Sequence, residues 1–357
     1  MAVYVGVNGV ARAVRDIYVG VDALARRVTK AYVGVDGVAR LFYAPARGPS
    51  RHMSLNPLPA ESAVGTGQYA IFASSGSAAA YDAQLTRHTI GSLSSMRTDH
   101  ASAMAGDYAL FAGGWRISGG VVLTRVVDAY DATLTRSTAT VLSALSQYPA
   151  AATAGSYALI AMGNSTTSNV VGTVNAYSDT LVRSIPTALS VARKASMGAS
   201  FGGMAVFAGG ANATNDPLSD LDAYDAALTR TSPTSLSGGC SGGAACALSG
   251  RLLFGGGVRG ASASAAVDGF DESLVRTAAP ALSAARSGLG AAAINGYALF
   301  AGGGTANAQT VVDAYDARLT RLSAEPLFDL SDKVRGAAIG PYALFSNNGS
   351  LATVYRA

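Results

Sequence analysis

Few residues in this chain are suited to chemistry, and their spacing argues against most of it. Three histidines, His52, His88 and His100, are the whole imidazole supply of 357 residues. His52 and His88 fall at equivalent places in a repeated pattern and read as structural. His100 follows Asp99 and reads as a satisfied polar residue. Cys240 and Cys246 lack a zinc-ligand spacing and read as small buried thiols. The acidic pairs Asp128/Asp131, Asp222/Asp225 and Asp313/Asp316 return in step with the repeat. A catalytic pair is needed once, so this recurrence indicates turn formation and strand-end capping. Gly-x-Ser-x-Gly, His-Glu-x-x-His and phosphate-loop contexts are absent, and the Gly-Gly pairs have no helix behind them to cradle phosphate. These patterns predict no catalytic residue, no metal and no cofactor.

The elements around these residues come from repetition. Tyr297-Ala-Leu-Phe has counterparts beginning at Tyr69, Tyr108, Tyr157, Met204, Arg251 and Tyr342. A second aromatic follows each, at Tyr81, Tyr130, Tyr177, Tyr224, Phe270, Tyr315 and Tyr355, in steps of 40 to 49 residues. Such a period means stacked or radial supersecondary units. Each unit phases as four strands: an Ala/Gly-rich strand a, the Tyr-Ala-Leu-Phe strand b, a Val-Val-Asp-Ala-Tyr strand c, and a strand d after Leu-Thr-Arg. Innermost strands of a radial array converge on an axis and have no room for bulk, which explains the small residues of strand a. Strands b and c occur seven times and strand d six times. Arg51-His-Met-Ser-Leu55 resembles Arg87-His-Thr-Ile and supplies the missing strand. Seven blades follow, closed by the N-terminal strand 51–55, which removes the free sheet edges.

Residues 1–43 hold a different repeat, Tyr-Val-Gly-Val-Asn/Asp, starting at Tyr4, Tyr18 and Tyr32. Asn8-Gly9 and Asp36-Gly37 are strong hairpin signals. Three hairpins this small bury too little surface to stand alone, so an anchor that meets other chains is expected. Residues 44–50 have linker composition. The formal charge of +4 resides wholly in residues 1–50, and residues 51–357 are neutral overall, which leaves no electrostatic case for nucleic acid. No run of residues is long and apolar enough for a membrane span, and the N-terminus lacks a signal-peptide layout.

The Gly-Gly ending strand b, the Tyr-Asp closing strand c and the Arg leading into the next strand a resemble the kelch repeat over residues 51–357. The expected Trp after Tyr-Asp is replaced by Leu-Thr-Arg or Leu-Val-Arg. The resemblance implies an all-β fold, a seven-bladed kelch-like β-propeller with a small N-terminal β-hairpin repeat domain. Copper oxidases on such propellers use a Tyr/His metal set that nothing here matches. The N-terminal repeat resembles segments of bacteriophage tail-associated structural proteins. That implies a non-enzymatic virion protein, made in a bacterial cytoplasm and released by lysis. Its partners would be other virion proteins and further copies through residues 1–43, and a host-surface or mucosal glycan or protein through the propeller, with no nucleic acid and no membrane insertion. A glycan-active enzyme on a propeller scaffold and a purely structural decoration protein are the alternatives.

Turns a–b and c–d are uniform, whereas the b–c loops on the opposite face vary in length and are polar. Function concentrates on such loops. Trp115, Arg116, Asn164, Asn212, Asn215, Arg259 and Asn307 are therefore the expected ligand contacts, with the single tryptophan as an exposed stacking surface. Arg97, Arg193 and Arg286 enter strand a in separate blades. They are candidates to ring the axial opening or, alternatively, to form structural ion pairs.

Overall fold

The computed structural model describes the chain apart from residues 1–3, 8–9, 14–17, 22–23, 28–30, 36–37, 44–47, 59–60, 75, 167–168, 305–308 and 348–349. The chain divides into two units, Met1–Gly48 and Pro49–Ala357. In the first, Tyr4–Val7 pairs with Val10–Ala13, Tyr18–Val21 with Leu24–Arg27, and Ala31–Val35 with Val38–Tyr43, each pair antiparallel. The turn dipeptides Asn8-Gly9 and Asp36-Gly37 lie outside the described residues.

The second unit is a seven-bladed β-propeller of four-stranded antiparallel sheets, with no helix among the described residues. Blades 1 to 7 begin with the innermost strands Ser62–Gly65, Ala101–Ala105, Ala150–Ala154, Met197–Phe201, Ala244–Leu248, Gly290–Ile294 and Val334–Ile339. Blade 7 is completed by Ser50–Leu55, which pairs with Ser350–Arg356 and joins the two ends of the unit. The innermost strands surround an axial cavity of about 480 Å³ lined by Ala, Gly and Ser with a few larger residues. Their small size is steric: a Cβ on Gly65 of blade 1 would sit 2.6 Å from the Ala338 carbonyl oxygen of blade 7.

Bulk lies further out, between blades. Phe111 and Tyr130 meet edge to face with centroids 5.7 Å apart, and Phe207–Tyr224, Phe254–Phe270, Phe300–Tyr315 and Phe345–Tyr355 repeat the arrangement. Such pairs contribute roughly 0.5–1.5 kcal/mol each beyond area burial. The buried tyrosines also find partners for their hydroxyls: Tyr177 donates to the Thr140 carbonyl and Tyr224 to the Thr187 carbonyl, both at 2.8 Å. Burial pushes the Tyr130 phenol up to about 12, which keeps it a donor.

The c–d turns are scaffolding. Asp82 Oδ1 accepts from the amides of Gln84 and Thr86 at 2.9 Å, and Asp131, Asp225, Asp271 and Asp316 do the same in their blades. In blade 3 the hydroxyl of Ser178 takes that place. Each turn holds a leucine in the left-handed region, such as Leu228 at φ 62°. Its packing against the core between blades offsets the strain.

Candidate functional site

The recurring acidic residue of strand c is buried and is the hub of an ion-pair network. Asp222 is fully buried and accepts from Arg193 Nη2 at 2.7 Å, Arg230 Nη1 at 2.8 Å and the Ser190 hydroxyl at 3.0 Å. Burial pushes its carboxyl up, but the two arginines and the hydrogen bonds outweigh this and hold it below the usual carboxylate range. Arg97–Asp128–Arg136 in blade 2 and Arg286–Asp313–Arg321 in blade 6 are the same triad. Arg97, Arg193 and Arg286 therefore do not ring the axial opening: they are at most 1% exposed and absent from the lining of the axial cavity. The alternative of structural ion pairs describes where they sit. Arg259 also turns inward, with Nη2 at 2.8 Å from Asp268 in blade 5, where Cys240 occupies the place of the buried arginine.

The opposite face is built on one backbone device. After strand b of blades 2 to 6 the chain passes through a Gly pair, or through Met162-Gly163 in blade 3, and bridges to the turn that leads into strand a. The bridges are Thr98–Trp115, Gln147–Asn164, Lys194–Ala211, Ser241–Val258 and Ser287–Gly304. Glycine is required for this approach, since a Cβ on Gly210 (φ 102°) would fall 2.7 Å from the Lys194 carbonyl oxygen. Equivalent backbone positions thus carry a different side-chain pair in each of these five blades.

Next to these bridges, the d–a turns form an interblade chain of hydrogen bonds around the axis. The amide of Ala195 donates to the Tyr148 carbonyl at 3.2 Å, that of Gly242 to Ala195 at 3.3 Å, and that of Gly288 to Gly242 at 3.1 Å. This position takes a left-handed backbone: φ is 63° at Gly242 and 69° at Gly288, but also 50° at Asp99, 55° at Tyr148 and 51° at Ala195. Glycine shows what the position prefers. An aspartate and a tyrosine held there carry strain of roughly 1–3 kcal/mol each.

The side chains that break the repeat meet in a cleft of about 630 Å³ spanning blades 2 to 5. Its polar lining is Gln147, Tyr148, Asn164, Lys194, Asn215 and Ser241, with Val121 and Val258 among the apolar lining. Tyr148 is 37% exposed. Burial and then the Asp99 charge push its phenol up, so it stays protonated at neutral pH. Asn164 is 3% exposed, and its Oδ1 has no hydrogen-bond partner among the described residues.

Beside the cleft lies a charged cluster on blades 7, 1 and 2. Asp99 Oδ2 accepts from the Trp115 indole N–H at 2.8 Å, and its Oδ1 lies 3.9 Å from Lys333 Nζ. The Asp99 amide donates to Glu61 Oε2 at 3.2 Å, and Arg335 Nε donates to the Glu61 carbonyl at 2.8 Å. His100 is buried, with Nδ1 2.7 Å from the Ser62 hydroxyl. Burial, then the Arg97 and Arg335 charges, hold it well below its ordinary value, so the ring is neutral.

Of the expected ligand contacts, Asn164 and Asn215 come together in this cleft. Trp115 is half-buried on a short hairpin, Trp115–Ile117 with Val121–Leu123, and its indole is committed to Asp99. Arg116 is exposed on the same hairpin. Asn212 closes its own loop, its Oδ1 accepting from the amides of Thr214 and Asp216 at 3.0 and 2.9 Å. Arg259 is spent on Asp268, and Asn307 lies outside the described residues. Sequence reasoning missed Asp99, Gln147, Tyr148 and Lys194. All four sit on d–a turns, and the available signal was residue type: where aligned blades carry Gly242 and Gly288, these carry Asp99 and Tyr148.

The sequence matches no family model and no curated protein. Among solved structures the chain is similar to a fungal alcohol oxidase of the AA5 family in complex with copper. That likeness has 9% identity and a TM-score of 0.66, covering 86% of this chain and 76% of that one. It supports the seven-bladed architecture but neither kelch membership nor a phage tail protein. The expectation of a non-enzymatic virion adhesin is corrected on this finding, because the similar structure is an enzyme on a propeller scaffold. Copper does not fit the residues present. His52 stacks on Tyr342, His88 binds Asp82 and His100 binds Ser62, and no group of three or more His, Cys, Asp or Glu among the described residues could hold a metal.

Proposed function

We propose that the propeller is a glycan-active enzyme whose substrate lies in the cleft of blades 2 to 5. The observation that carries this reading is the gathering, at one place on a sevenfold scaffold, of polar side chains that differ from blade to blade. Scaffold residues repeat and site residues need not. A cleft with an aromatic ring, amides, a hydroxyl and an ammonium matches what a sugar presents: a flat apolar face and a rim of hydroxyls. The fungal enzyme with the similar fold is an alcohol oxidase, which lends the enzymatic reading support. Copper chemistry of that kind has no ligand set here, so the reaction assigned is acid–base chemistry. The Tyr148 phenol, protonated at neutral pH, is the proton donor. Asp99, fixed by the Trp115 indole and faced by Lys333, is the carboxylate partner.

The test is turnover of a panel of neutral and acidic polysaccharides, read as new reducing ends or ultraviolet-absorbing products, with and without added copper. Depolymerisation lost in Tyr148→Phe and Asp99→Asn, with melting unchanged, is the expected result. Copper-dependent oxidation of sugar alcohols without depolymerisation would overturn the acid–base assignment. No turnover of any kind would overturn the enzymatic reading.

A further inference from the structure

We infer that the cleft is selective for an anionic sugar, one bearing a carboxylate or sulfate ester, with Lys194 as the group that reads the charge. The inference rests on the glycan reading above and specifies the substrate class. Lys194 is the one ionisable cation lining the cleft, and no carboxylate lines it; Asp99, beside the cleft, has its charge faced by Lys333. The neighbouring arginines are already engaged in ion pairs, Arg193 with Asp222, Arg259 with Asp268 and Arg97 with Asp128. Lys194 forms no ion pair with any described residue, although the propeller as a whole carries equal numbers of acidic and basic residues. Lys194 is part-buried at the edge of the cleft, where its ammonium can make charge-assisted hydrogen bonds to an anionic group.

The second requirement comes from Asn164. Its Oδ1 is a buried acceptor without a donor, and leaving such an atom unpaired costs about 1–3 kcal/mol. Sulfate or a halide presents no hydrogen to it. A ligand that donates at Asn164 and carries negative charge at Lys194 meets both groups, which describes a hydroxylated ring with an acidic substituent. Tyr148, half-exposed on the same wall, offers the flat surface on which that ring lies. Both bridges that hold the site are backbone pairs, Gln147 with Asn164 at 2.9 Å and Lys194 with Ala211 at 2.9 and 3.0 Å. The two side chains are therefore positioned by the scaffold and not by each other.

The experiment is calorimetric titration of the full chain with oligogalacturonate, its fully methyl-esterified form, a sulfated dextran oligomer and unmodified dextran oligomer. The acid form should bind about tenfold more tightly than its ester, and Lys194→Met should bring the ratio of the two affinities to about one. Lys194→Arg should restore part of it, which separates charge recognition from loss of fold. The sulfated and carboxylated probes distinguish the two sources of charge, and preference for either over its neutral counterpart supports the inference. Equal binding of acid and ester together with equal binding of sulfated and plain dextran, with glycan turnover intact, overturns the inference and leaves the enzymatic reading standing. Absence of both binding and turnover overturns both.

Discussion

Replacing Arg193 with serine would remove the fully buried arginine of a triad, and blade 3 shows what the remaining residues would then need. Asp222 is held by Arg193, Arg230 and Ser190. Without Arg193 the carboxylate keeps only Arg230 as a cation, and that side chain is itself 25% exposed. Removing one partner of a buried pair costs about 3–5 kcal/mol, because the surviving charge is left poorly compensated. At roughly 2–4 °C per kcal/mol, a figure that shrinks as chains lengthen, the melting midpoint should fall on the order of 5–15 °C. Blade 3 lacks both charges: Ser146 stands where the arginine would be and Asn175 where the aspartate would be. There Asn175 Oδ1 accepts from the Ser143 amide at 2.9 Å, and buried Met162 fills the volume. The double variant Arg193→Ser/Asp222→Asn copies this solution and should recover roughly half of the loss, the remainder being the volume the guanidinium vacates. Thermal and guanidinium midpoints followed by circular dichroism give the comparison. The sign with pH follows from the lowered Asp222 carboxyl. Its stabilisation is present above the ordinary carboxylate range, about pH 4, and is lost as pH falls toward the folded value. The wild type should therefore lose midpoint more steeply below about pH 4 than the double variant. A single Arg193→Ser that melts within about 2 °C of wild type, or a double variant worse than the single, would refute the reasoning.

Three further outcomes are expected. Deleting residues 1–56 should lower the melting midpoint far more than deleting 1–44, because only the longer deletion removes the strand Ser50–Leu55 that pairs with Ser350–Arg356; equal midpoints would deny closure a stabilising role. Ala195→Gly should raise stability by about 0.5–1 kcal/mol, since Ala195 sits at φ 51° where Gly242 and Gly288 stand in later blades, and a lower midpoint in chemical denaturation would show that the methyl packs usefully. A peptide of residues 1–43 alone should show no cooperative monomeric unfolding, as its hairpins are too small to bury a core; a sharp, concentration-independent melt would contradict this.

The fold was legible because it is periodic, and most of the site was not because periodicity hides it. Strand phase, blade number and the role of the Asp-Ala-x-Leu turns all follow from residues that recur, and radial crowding explains why strand a is small. The ion-pair network was half-legible. An arginine before strand a and an aspartate in strand c each recur, but only the fold brings Arg193 and Asp222, 29 residues apart, to 2.7 Å. Attention to the long b–c loops selected residues by exposure and polarity. Asn212 and Arg259 meet those criteria while spending their hydrogen bonds inside the protein. The short d–a turns were passed over as connections, although they carry Asp99, Tyr148 and Lys194. Aligning the blades at the left-handed position would have singled out the first two, because Asp and Tyr stand there where blades 5 and 6 carry Gly. In a repeat protein, then, residues that agree between units report the scaffold. The informative candidates for function are those that disagree at a position where disagreement is physically costly.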